Sequence, residues 1–392
     1  MTPEGRLANG LRLAWLGHAS GHRADGLSSY SEQVAGGLQE RGAEVMFHHA
    51  ARDGAIVPGT PAEVVAWPTW NFKTVIVPRP GFRSAMAAWL ETRRPQLLHC
   101  SLSMTLDDGW VGERALRLGV GTVATFHLPF GSPGTTRAAV MRELHRFWAG
   151  RLRGYQRVIV FDPDHRERLA RVGIPLERLR VVPNAVDLRR FSPGAGTLRA
   201  QRLARSELVV GYLGRLDPEK GIRPLLKAFE SAGLGRDSRL LIAGEGVLKA
   251  LVQRAAARDP RIVYLGRLGG VSARADFWRS IDLFCLPSTA EGLSIAMLEA
   301  MACGRAVAVT RAGGFQAAGA GAFELSERRL QDSLVTLLEQ VSRDPSLLAD
   351  KGALARSEAV RHHGSEVMLD RLLAIYSELG VSLPDVRPGP SR

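Results

Sequence analysis

Two carboxylates and two cations in the second half of the chain have types and spacings suited to chemistry on a charged leaving group. Glu291 and Glu299 stand eight positions apart in EGLSIAMLEAMACG, and Arg215 and Lys220 share the short stretch GRLDPEKG. Two cations on one loop can neutralise a diphosphate as its bond to carbon breaks. Gly292 follows the first carboxylate directly. The backbone N–H groups of Gly292, Leu293 and Ser294 open a helix, a natural seat for phosphate oxygens. Glu299 lies two turns on, roughly 12 Å along the axis at ~1.5 Å per residue. One carboxylate can then meet one end of a long ligand and the other a distant hydroxyl pair. The alternative is a glutamate that favours its own helix dipole and a second one solvated at the surface. In the first half, His127 ends the apolar run VGTVATFH, as a satisfied core residue or as a group facing a ligand.

These groups need a sheet to hold them. IDLFCLPS (281–288) is an apolar run closing on a Pro-Ser turn, which reads as a strand. Ile295, Leu298, Met301 and Ala302 recur at helical spacing, so 294–303 is predicted as an amphipathic helix. Gly304 stops it before a strand over Val307 to Val309. Glu291 therefore sits on a loop at the carboxyl end of a strand, where ligands of open α/β sheets bind. LVVGYLG (208–214) delivers Arg215 and Lys220 in the same way, and LLIAGEG (240–246) and RIVYLGRL (261–268) read as further strands. Near the start, LRLAWLG (11–17), a Gly/Ser-rich loop, a helix and AEVMFHH (43–49) form a βαβ unit. Gly26 marks where its backbone can approach a phosphate. G-x-G-x-x-G is missing, which speaks against a nicotinamide fingerprint. PQLLHCS (95–101) and VGTVATFH (120–127) are two more strands. Asp162-Pro163-Asp164 reads as a helix cap at a strand-to-helix junction rather than as a metal-binding pair. No metal is expected, since no cluster has ligand spacing.

At 392 residues the expectation is two domains. No run of about 18 apolar residues occurs, and the first residues lack a signal-peptide pattern. Cys100, Cys285 and Cys303 lie in apolar contexts, as buried reduced thiols of a cytoplasmic protein would. The net charge of +13 favours an anionic partner, be it nucleic acid, an acidic lipid surface or a phosphorylated substrate; an arginine-rich composition is the alternative. Within 64–94, Trp67, Trp70 and Phe72 alternate with Lys73 and Arg83, and within 137–157, Arg142 and Arg146 accompany Phe147, Trp148 and Tyr155. Such stretches suit the headgroup layer of an anionic bilayer. They would also suit single-stranded nucleic acid, or simply pack helices against the sheet.

Taken together, EGLSIAMLEAMACG, GRLDPEKG and VVPNAVDLRRFSP resemble the retaining, nucleotide-sugar-dependent glycosyltransferases of family four, over nearly the whole chain. Departures are Ala185 for the usual Gly of the hinge motif, and Gln316 for the usual Glu before a shortened Gly-rich segment. The resemblance implies the GT-B fold, two Rossmann-like α/β domains facing across a cleft. An acceptor domain would span 1–190 and a nucleotide-sugar domain 191–365, with a helix over about 366–383 returning to the first and a tail at 384–392. It implies a UDP- or GDP-hexose donor and no cofactor. Glu291 would contact the sugar, Glu299 the ribose, Arg215 and Lys220 the diphosphate, Gly26 the diphosphate from the first domain, and His127 the reacting centre. HCS…TFHLPF resembles the subset that glycosylates diacylglycerol-type lipids. A peripheral enzyme at the inner membrane face follows, with no nucleic-acid partner. A soluble acceptor, a non-catalytic or nucleic-acid-binding descendant of the fold, and a nucleotide-sugar epimerase are the alternatives.

Overall fold

The computed structural model describes residues 8–17, 26–51, 63–72, 75–102, 105, 107–128, 136–203, 207–289, 291 and 293–381. Lys73, Gly292 and the 384–392 tail lie outside them. The chain forms two compact units, one from Met1–Pro183 with Ser365–Arg392, the other Asn184–Gly364.

The first unit holds an eight-stranded sheet of β1 (Arg12–Gly17), β2 (Glu44–Ala51), β3 (Glu63–Phe72), β4 (Val75–Pro78), β5 (Leu97–Ser101), β6 (Gly121–Thr125), β7 (Arg157–Val160) and β8 (Leu179–Val181). Its order is β4-β3-β2-β1-β5-β6-β7-β8, parallel except for the β3–β4 hairpin at one edge. Chain order reverses between β1 and β5. The helix Ser365–Ser377 belongs to this unit and is fastened to it by side chains. Buried Arg41 donates to Asp370 at 2.7 Å and to Glu366 at 2.5 Å, and Glu378 accepts from Arg157 and Arg180 at 2.8 and 2.7 Å.

The second unit is a six-stranded, wholly parallel sheet of β9 (Val209–Leu213), β10 (Arg239–Ala243), β11 (Ile262–Gly266), β12 (Leu283–Leu286), β13 (Ala306–Thr310) and β14 (Ala322–Leu325), in the order β11-β10-β9-β12-β13-β14. The order reverses between β9 and β12. Both are nearly continuous apolar runs, as strands buried on both faces must be. The helix Ile295–Ala302 follows β12, with Ser294 as its N-cap accepting from the Met297 N–H. The expected amphipathic helix is in fact buried from Met297 to Ala302, because helix Ser346–His362 covers its second face. That contact is close: a Cβ on Gly352 would stand 2.3 Å from the Gly304 carbonyl oxygen.

Candidate functional site

In the second unit the site residues gather on the two loops that leave β9 and β12, adjacent strands at the switch in chain order. Such a switch opens a crevice at the carboxyl edge of a sheet. After β9 the chain makes a turn over Pro218–Lys220 and then Gly221, with φ at +69°. A Cβ on Gly221 would lie 2.2 Å from the Pro287 carbonyl oxygen, so glycine lets the first loop rest on the second. The Thr289 N–H donates to the Glu219 carbonyl at 2.9 Å and joins the loops again. Lys220, 7% exposed, then donates through Nζ to Glu291 Oε2 at 2.6 Å, and Ser288 Oγ donates to the same oxygen at 3.4 Å. Two residues read separately in the sequence are thus one ion pair.

Arg215 is placed differently. Its side chain is exposed and paired with Asp217 and Glu219 of its own loop, while its carbonyl accepts from the Tyr212 hydroxyl at 2.7 Å. The backbone is thereby fixed and the guanidinium remains at the surface. The loop after β10 is locked alongside: Leu216 N–H donates to the Glu245 carbonyl at 2.8 Å, and Leu248 N–H to the Leu216 carbonyl at 2.8 Å. Leu293 and Ser294 are held by the cap and by Asn184, whose Nδ2 donates to the Leu293 carbonyl at 2.8 Å. Gln316 lies exposed on the short helix Phe315–Ala318.

Glu299 departs from its expectation. It is 3% exposed, with Oε2 accepting from Trp278 Nε1 at 2.9 Å and Oε1 facing Arg274 at 3.1 Å. Burial lifts its pKa, and the arginine and indole oppose that shift. As placed, this carboxylate braces helix Gly270–Ser280 against helix Ile295–Ala302 instead of lying open to a ribose. Arg274 and Trp278 are one helical turn apart, which presents both to one acceptor.

In the first unit His127 follows β6, half-buried, with Nε2 2.8 Å from Ser101 Oγ at the end of β5. The rings of Tyr30 and Phe161 flank it at 5.0 and 5.1 Å. Gly26 is the first residue of helix Gly26–Glu40 rather than a loop residue. Asp162 acts as a cap: its Oδ1 accepts from the His165 N–H at 2.7 Å.

The aromatic–basic residues divide. Trp67 is turned inward, contrary to its expected surface role. Its indole N–H donates to His48 Nδ1 at 3.0 Å and its ring meets Phe82 edge-on, because that face of β3 packs under helix Phe82–Arg93. Arg83 is exposed but engaged, bound to Asp107 at 2.7 Å and lying over Trp110. Trp70 is 47% exposed. Phe72 ends β3, with its side chain outside the described residues. Arg142 and Arg146 are exposed on helix Thr136–Arg151 beside Phe147, which is 46% exposed, whereas Trp148 and Tyr155 are core.

Residues 24–190 match the family described as Glycosyltransferase Family 4, and residues 207–342 the one described as Glycosyl transferases group 1. The GDP-mannose-dependent alpha-(1-6)-phosphatidylinositol dimannoside mannosyltransferase of Mycobacterium tuberculosis is 28% identical over 315 residues, 77% of this chain and 80% of that protein. The D-inositol 3-phosphate glycosyltransferase of Rhodococcus erythropolis is 26% identical over 398 residues, 92% and 88% of the two chains. Among solved structures, HepE of Anabaena in complex with UDP and glucose is similar with a TM-score of 0.74 at 17% identity, over 94% of this chain and 100% of that one.

Proposed function

Since the chain belongs to the group 1, family-four glycosyltransferases and has their GT-B fold, we propose that it moves a hexose from a nucleoside diphosphate to a membrane lipid, with retention at the anomeric carbon. The observation that carries this reading is the Lys220–Glu291 pair at the switch between β9 and β12. A diphosphate seated there meets the Lys220 ammonium and the exposed Arg215 guanidinium, and both oppose the charge that grows on the leaving oxygen. Helix Ile295–Ala302 adds its positive end. Glu291, already held by Lys220 and Ser288, is oriented to accept from sugar hydroxyls. The leaving phosphate takes the acceptor's proton on the same face, so the reaction calls for no enzymic nucleophile. For His127 we keep the role that the family resemblance implies, a residue near the reacting centre.

The donor is a UDP- or GDP-hexose; HepE was solved with UDP and the mycobacterial relative is named for GDP-mannose. For the acceptor, the exposed Arg142, Arg146 and Phe147 suit an anionic bilayer, and the mycobacterial relative acts on a phosphatidylinositol derivative. No described helix is long and apolar enough to cross a membrane. The contact proposed is peripheral, at the inner face, through this exposed basic and aromatic helix. A second reading, a soluble phosphorylated polyol as acceptor, is favoured by the Rhodococcus relative, which matches along most of the chain.

Nucleotide release from UDP- and GDP-hexoses, with and without anionic vesicles carrying diacylglycerol or phosphatidylinositol, tests the proposal. Release that rises with vesicles and vanishes in Glu291→Ala supports it. Release that responds only to inositol phosphate moves the acceptor to the soluble class, and none from any donor removes the activity. The anomeric configuration of the product, read by NMR, decides retention.

A further inference from the structure

Behind His127 runs a buried ladder of polar side chains that the transfer chemistry does not use. Strands β5 and β6 pair in parallel with His99 opposite Val123 and Ser101 opposite Thr125. Each polar residue of β5 reaches a partner two places beyond its register mate. His99 Nε2 lies 2.7 Å from Thr125 Oγ1, and Ser101 Oγ 2.8 Å from His127 Nε2. The rungs are therefore geometrically equivalent. The inner one continues both ways, since His99 Nδ1 is 2.6 Å from the Tyr376 hydroxyl and Thr125 Oγ1 is 3.1 Å from the Tyr30 hydroxyl. Tyr30 closes the circuit by setting its ring edge-on against His127.

The ladder's chemistry is restrictive. His99 is fully buried under Trp15, ring centroids 4.3 Å apart, and burial pushes its pKa down to about 3. It is a neutral imidazole at working pH, with one donor and one acceptor nitrogen. The two bonds from Tyr376 through His99 to Thr125 then run in the same sense, and the His99 tautomer sets which sense that is. Breaking a link leaves a polar atom buried and unsatisfied, which favours a shifted ring over an empty bond.

We propose that Ser101 is the positioning residue of His127, and that Tyr30, Thr125, His99 and Tyr376 extend this control to the C-terminal helix. Ser101 fixes the Nε2 edge and Tyr30 the ring face, so the imidazole keeps one orientation. Tyr376, from the far end of the sequence, sets the ladder against which Tyr30 rests. The proposal rests on the reading of His127 as a residue of the transfer site.

The experiment pairs kinetics with ¹⁵N NMR of the imidazoles, the His127 signal being assigned with His127→Gln. Ser101→Ala should lower kcat by about 10- to 100-fold, the range that a misplaced group costs, with KM for the sugar nucleotide unchanged. Ser101→Thr, which keeps the hydroxyl, should restore kcat. Tyr376→Phe should lower kcat less and also displace the His127 signal. If Ser101→Ala leaves both kcat and the His127 signal as in the parent, the proposal is wrong. An unmoved signal in Tyr376→Phe removes the helix from it. The NMR arm needs no turnover, so an inactive parent would sink the transferase reading while the ladder is still judged by the shifts. Should Ser101→Ala fail to fold by circular dichroism, the folded Ser101→Cys variant takes its place under the same criteria.

Discussion

Lys220 Nζ and Glu291 Oε2 stand 2.6 Å apart, so the cation assigned to the donor's diphosphate and the carboxylate assigned to its sugar are bonded to each other. Each lies opposite the other's charge in a partly buried site, where an ion without a counter-charge would be costly. Each also fixes the other's rotamer, which lowers the reorganisation needed when charge develops nearby.

Lys220→Met and Glu291→Gln should each reduce kcat by about 10²- to 10³-fold, as removal of a preorganised charge does. Each should also cost up to about 3 kcal/mol of stability, because the remaining ion loses its partner. The double variant should recover much of that stability and none of the activity. Urea denaturation of the three proteins measures this, and a double variant less stable than both singles would contradict it.

Gly221→Ala attacks the same pair through the backbone. The added methyl would meet the Pro287 carbonyl in a left-handed conformation, so a loss of about 1–3 kcal/mol is expected. Because the turn carrying Lys220 must move, sugar-nucleotide affinity should fall as well. Calorimetric titration with UDP and GDP checks this; an unaltered Kd would show that the loops are not coupled.

Acid should weaken the first unit before the second. Burial lowers the pKa values of His48 and His99 to about 3 and that of His165 to about 4. As pH falls below the ordinary histidine value of about 6.5, the unfolded chain takes up protons that the folded unit refuses. Their stabilisation is thus complete above that value and declines by about 1.4 kcal/mol per pH unit for each histidine as pH drops toward the folded values. Glu299 works in the opposite sense in the second unit: its raised pKa makes its contribution complete at low pH and lost as pH rises through the folded value. Urea midpoints followed by hydrogen exchange between about pH 7.5 and about pH 5 should fall for first-unit amides, and less steeply in His48→Gln. A midpoint indifferent to pH would contradict this.

Vesicle binding should separate outer from inner aromatics. Arg142→Glu with Arg146→Glu should lower affinity for anionic vesicles by about tenfold or more, at roughly 1 kcal/mol for each charge removed. Trp67→Phe should leave vesicle binding intact and lower the melting temperature, since it deletes the donor to His48. Sedimentation with phosphatidylserine vesicles tests both, and binding that ignores the arginines would remove that helix as the docking surface.

The legible part of this chain was the part governed by local pattern. β12, the helix after it and β13 follow from apolar runs, helical periodicity and a terminating glycine. Arg215, Lys220 and Glu291 were marked by residue type and loop position. Their connection was not, since Lys220 and Glu291 meet through loops far apart in sequence. The burial of Glu299 was hidden for a related reason: periodicity shows one apolar face, not which later helix will cover the other. Trp67 and Trp70 could have been told apart. An odd separation along a strand puts two side chains on opposite faces, so one of them had to turn inward.

The helix Ser365–Ser377 has a consequence for how the protein is made. It completes the first unit, through Arg41, His99, Arg157 and Arg180, yet it leaves the ribosome after the entire second unit. At ~5–20 residues per second, the amino-terminal sheet waits on the order of 10 seconds or longer for its last element. During that interval the His99 nitrogen destined for Tyr376 and the Arg41 guanidinium lack their helix partners. A nascent chain halted just before Ser365 should therefore be protease-sensitive in the segment made first and resistant in the one made second.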